Sequence, residues 1–78
     1  MLEFFKVAET EQFITYNYSI NNDPDNGIIV LNKHTGDCNI EKLPNLDPFK
    51  TCAFKVIPRL ISFWKKGCYH DYGMIAWY

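Results

Sequence analysis

The stretch from Asp47 to Gly67 constrains this chain more than any other. Its apolar side chains fall at Phe49, Cys52, Ala53, Val56, Ile57, Leu60, Ile61 and Trp64. Steps of three and four residues place them on one side of an α-helix. Asp47 suits the N-cap, because its carboxylate can accept from the free N–H groups of a first turn. Pro48 suits the first helical position, where no backbone N–H is needed. Gly67 stops the helix, and Lys65 and Lys66 face the negative end of its dipole. Pro58 is the discordant residue, since inside a helix it removes a backbone hydrogen bond and crowds the preceding turn. It projects opposite Phe49, on the polar side. The pattern therefore predicts a helix bent around its core at Pro58, or two short helices broken near Ile57.

A helix with one apolar side needs a surface to bury it against, and the preceding residues read as that surface. In residues 12–20, Ile14, Tyr16, Tyr18 and Ile20 alternate with Phe13, Thr15, Asn17 and Ser19, the period of a half-buried strand. Residues 21–27 are rich in Asn, Asp, Pro and Gly and form a loop. The β-branched run 28–33 reads as a buried strand. His34–Asp37 turns the chain, with Gly36 in the left-handed position, and residues 38–43 return as its hairpin partner. Residues 2–8 carry Phe and Val and read as a first strand, although the nearby glutamates permit a helical turn. Cys68–Gly73 is a loop, and Met74–Tyr78 a final strand. The predicted fold is α+β: an antiparallel sheet of four or five strands with one amphipathic, Pro-kinked helix packed on one face, in the order β-β-β-β-α-β. Seventy-eight residues make a single domain over 1–78.

The charges divide along the same line. Residues 1–48 hold eight acidic and three basic side chains, a net of −5. Residues 49–78 hold five basic and one acidic, a net of +4, which together recover the chain's −1. All five late cations, Lys50, Lys55, Arg59, Lys65 and Lys66, fall in the predicted helix on its polar side. Such a face is either simply solvated or a docking surface for an acidic partner. Nucleic acid is a weaker reading, because five cations are few for useful phosphate binding and the acidic half opposes it.

No standard catalytic motif appears. His34, Cys38, Cys68 and His70 offer the nitrogen and sulfur ligands that zinc prefers, but their spacing fits no common zinc arrangement. A Cys/His nucleophile pair from the same residues lacks an orienting group and an oxyanion hole. Asp23, Asp25 and Asn26 fail as a calcium loop, because Pro24 and Lys33 fall where ligands are required. No residue is assigned to catalysis, a cofactor or a metal. The chain has six Phe, five Tyr and two Trp, more rings than a small core readily holds, and such rings favour interfaces. Tyr72, Trp77 and Tyr78 join the five cations as expected partner-binding residues. No apolar run reaches the ~20 residues of a membrane-spanning helix. Three cysteines and an N-terminus without a basic leader point to the cytoplasm. The expected function is a non-enzymatic protein-interaction module that binds a partner or itself. The alternatives are a small Cys/His metal protein or enzyme, and a weak nucleic-acid binder.

Overall fold

A computed structural model describes residues 1–76 of the chain. Its elements are β1 (Leu2–Glu9), β2 (Phe13–Ile20), β3 (Gly27–Asn32), β4 (Cys38–Lys42), α1 (Ala53–Lys66) and β5 (Tyr72–Ile75). The strands form one antiparallel sheet in the order β4-β3-β2-β1-β5, with the single helix following β4. The α+β layout read from the sequence is therefore present, with five strands. Trp77 and Tyr78 lie outside the described residues.

Alternation decides which face of the sheet the helix covers. Ile14, Tyr16, Tyr18 and Ile20 of β2 are all buried, as their period-two spacing predicts. Leu2 and Phe4 of β1 and Ile29 and Leu31 of β3 join them, since the register sets Phe4 beside Tyr18 and Tyr16 beside Ile29. From the other layer come Cys52, Ala53, Val56, Leu60 and Phe63. Phe63, which the predicted stripe omits, is a central ring. Its centroid lies 6.1 Å from Phe4 and 6.2 Å from Tyr16, and it stacks on the His70 imidazole at 4.7 Å.

The helix begins later than the sequence signals suggest. Asp47-Pro48 resembles a cap and first turn, but a tight turn intervenes and Lys50 takes a left-handed φ of 64°, which no continuous helix tolerates. Helix α1 starts at Ala53, and Phe49 is 86% exposed instead of heading the apolar stripe. Lys50 accordingly lies in the turn and not on the helix. Asp47 still caps, but from a distance. Its Oδ1 accepts the Cys52 N–H at 2.9 Å, and its Oδ2 accepts the Ala53 N–H at 3.0 Å. Pro58 sits inside one continuous helix with its ring exposed, so the break near Ile57 does not occur. At the other end Gly67 adopts φ 67° and donates to Phe63 O and Trp64 O, while Cys68 N–H reaches Phe63 O at 3.1 Å. These are the bonds that close a helix through a left-handed glycine.

The last strand also differs from its expected bounds, running from Tyr72 to Ile75 along β1. Gly73 explains the earlier start. It pairs with Phe4, and a Cβ on Gly73 would lie 2.1 Å from the Phe4 ring. Gly27 does the same for Tyr18, its partner across β2 and β3, again at 2.1 Å. Each glycine is a notch that lets a buried ring lie flat on the neighbouring strand. Gly27→Ala and Gly73→Ala should each cost about 2–3 kcal/mol, the range of an overpacked core. Gly67→Ala has open space around its Cβ and bears only the left-handed strain of ~1–2 kcal/mol. Thermal or urea unfolding checks this order, and Gly67→Ala as the most damaging of the three would contradict it.

Candidate interaction surfaces

The sheet has a second face, and among the described residues no element covers it. Side chains that alternate with the core project there: Glu3 and Phe5 from β1, Phe13, Thr15 and Asn17 from β2, Ile28 and Val30 from β3, and Tyr72 and Met74 from β5. Phe13 is 41% exposed, Tyr72 48% and Met74 45%. Toward β4 this face dips into a shallow groove of about 470 Å³, with Phe13 and Val30 as its apolar part and Asp37, Asn39 and Glu41 beside them. The acidic groups here are Glu3, Asp37 and Glu41. Lys42, beyond an irregularity in the β3–β4 pairing, is held by Asp25 at 3.0 Å. The Tyr72 hydroxyl donates to Glu3 Oε2 at 2.8 Å, and that bond raises its pKa above the ordinary tyrosine value.

The helix carries the opposite charge on its outer side. Lys55, Arg59, Lys65 and Lys66 are exposed there, and the Arg59 guanidinium reaches over the Phe4 ring at 5.8 Å. Pro58, Ile61, Ser62, Lys65 and Lys66 line a second shallow groove of about 440 Å³. The expected partner-binding residues thus divide between two layers. Lys55, Arg59, Lys65 and Lys66 lie on the helix, Lys50 in the turn before it, and Tyr72 on the opposite, sheet side. The sequence reading places its binding residues on the helix and in the C-terminal aromatic segment, and does not include Phe5, Phe13, Ile28, Val30 or Met74. Two signals pointed to them: Phe13 is the apolar intruder on the polar side of β2, and the run Ile28–Leu31 has no polar alternate positions.

The thiols are spread through the fold: Cys52 precedes the first turn of α1, Cys68 follows its last turn, and Cys38 begins β4. The Trp64 indole donates to Lys33 O at 2.9 Å, bringing the end of α1 to the β3–β4 turn, and Lys33 Nζ lies 5.7 Å from the Tyr69 ring. Among the described residues, no three His, Cys, Asp or Glu side chains form a metal-holding group. Cys38 lies on the covered side opposite Leu31, and burial, with the Asp37 charge adding to it, pushes its thiol up to about 11. Burial also raises Cys52. A thiol raised in this way is a poor nucleophile at neutral pH. The nearby charges are engaged structurally: Lys33 donates to Glu9 at 2.6 Å, and Lys6 pairs with Asp71 at 2.9 Å.

No protein family, curated protein or solved structure matches the chain. Among the described residues, no helix is long and apolar enough to cross a membrane.

The thiol environments order the cysteines by reactivity. Iodoacetamide at pH 8 should label exposed Cys68 first, with Cys38 and Cys52 following at least about tenfold more slowly, because little of either is thiolate. Mass spectrometry of partly alkylated protein reads the order. Fast labelling of Cys38 would restore it as a candidate nucleophile.

Proposed function

We propose that the chain is a non-enzymatic protein-interaction module, and that it receives its partner on the uncovered face of the sheet. One observation carries the reading. The sheet buries a single face, while the other presents Phe5, Phe13, Ile28, Val30, Tyr72 and Met74 among small polar side chains. An antiparallel sheet with one solvated face normally alternates cleanly between apolar and polar residues. Aromatic and Met side chains in its place favour a second protein surface. The shallow, open form of the groove suits a macromolecule better than an enclosed small ligand. Glu3, Asp37 and Glu41 repel phosphate, so a nucleic acid suits this face poorly.

A photo-reactive residue placed at Val30, on the uncovered face, should give a discrete adduct with another protein or a second copy in cells that make the chain. The same residue at Gln12, in the exposed β1–β2 turn, should give none. Equal yields at the two positions, or no adduct at Val30, would contradict the reading.

A further inference from the structure

We infer that the occupant of the uncovered sheet face is the helix of a second copy of this chain, so that molecules stack head to tail. The inference rests on the reading of that face as a docking surface and adds the identity of what docks. The two outer layers of the molecule are complementary in charge and similar in character. The uncovered sheet face has an apolar groove at Phe13 and Val30 edged by the carboxylates of Asp37 and Glu41. The outer side of α1 has an apolar strip at Pro58 and Ile61 edged by the ammonium groups of Lys65 and Lys66. Among the described residues these four charged groups form no ion pair within the molecule. Stacking one helix layer on the next sheet layer would repeat the helix-on-sheet packing already present and give each sheet two covered faces.

The dimensions allow it. The backbone spans 30 × 23 × 19 Å. Helix α1, about 21 Å long over its 14 residues, is short enough to lie within the 30 Å length of the molecule. Charge also selects this arrangement over its rivals. Two sheet faces brought together would oppose Glu3, Asp37 and Glu41 to their own copies, and two helix faces would oppose Lys65 and Lys66 to theirs. Only the mixed contact sets carboxylates against ammonium groups. Such a contact uses different surfaces on its two sides, and because these lie on opposite layers of the molecule it adds further copies rather than pairing two.

Light scattering and sedimentation across protein concentration test this. The mean mass should climb past two chains as concentration rises at low salt. It should fall back at ~0.5 M salt, where screening shortens the reach of surface charges. Lys65→Glu with Lys66→Glu removes the helix side of the contact, and Asp37→Lys with Glu41→Lys removes the sheet side. Each doubly substituted protein alone should associate at least about tenfold more weakly. Mixed in equal amounts they should again climb past two chains, since one contact keeps the native charge pair and the other carries it reversed. Circular dichroism confirms folding, and Lys65→Gln with Lys66→Gln replaces the glutamate pair if that pair weakens the helix. Chains that stay monomeric at ~1 mM and low salt would overturn the inference. So would a dimer plateau unaffected by the lysine substitutions, which marks a symmetric sheet-to-sheet contact. A Val30 adduct containing a different protein, with the chain itself monomeric, would overturn the stacking and leave the docking face standing.

Discussion

The structure turns on a buried carboxylate. Asp47 is 2% exposed and accepts three hydrogen bonds, from the Cys52 and Ala53 amides and from the Tyr18 hydroxyl at 2.9 Å. Removing a carboxylate from water is expensive unless such bonds replace its hydration. Here two donors belong to the first turn of the helix, whose positive dipole end favours the charge, and the third belongs to the middle of the sheet. One side chain thereby joins the two layers. Its position also fixes Tyr18, whose ring must lie where only a glycine at position 27 leaves room. Burial and the bond to Asp47 hold the Tyr18 phenol protonated far above neutral pH, so the donor persists.

The far end of the helix is secured differently, by the Trp64 indole bonding Lys33 O and by its ring lying over Gly36. With both ends held, α1 covers the side of the sheet that bears Phe4, Tyr16 and Tyr18. Among the described residues there is no second helix for the other side. The uncovered face therefore follows from the same arrangement that builds the core. The charge division follows too, because the acidic half of the chain forms the sheet and the basic part forms the helix. Charge separated in sequence becomes charge separated across the thickness of the molecule.

Where local and tertiary preferences agree, the sequence is readable. The alternation in β2, the β3–β4 hairpin around Gly36 and the glycine end of α1 all appear as their residue types imply. The start of the helix was not readable, because Asp47-Pro48 is equally good chemistry for a cap and for the turn that precedes one. The sheet decides between them: the Asp47 carboxylate that meets Tyr18 accepts the amides five and six residues ahead. The stripe omits Phe63 although the pattern offers it. At 100° per residue Phe63 falls on the same side as Val56 and Leu60, so the helical period alone contains it, whereas Phe49 points to solvent. The bounds of β5 depended on the Phe4–Gly73 pairing, which joins residues far apart in the chain. The uncovered face was legible only in part, through Phe13, since a run such as Ile28–Leu31 looks the same whether one face is covered or two.

The link from sheet to helix through Asp47 can be measured directly by a double-mutant cycle of Tyr18→Phe and Asp47→Asn, read by urea unfolding. Both residues are buried and in contact, so their effects should not add. The account predicts a coupling of about 1–2 kcal/mol, as expected for a buried hydrogen bond to a charged group. Additivity within ~0.3–0.5 kcal/mol would contradict it, and would mean that the helix is held on the sheet by apolar packing alone.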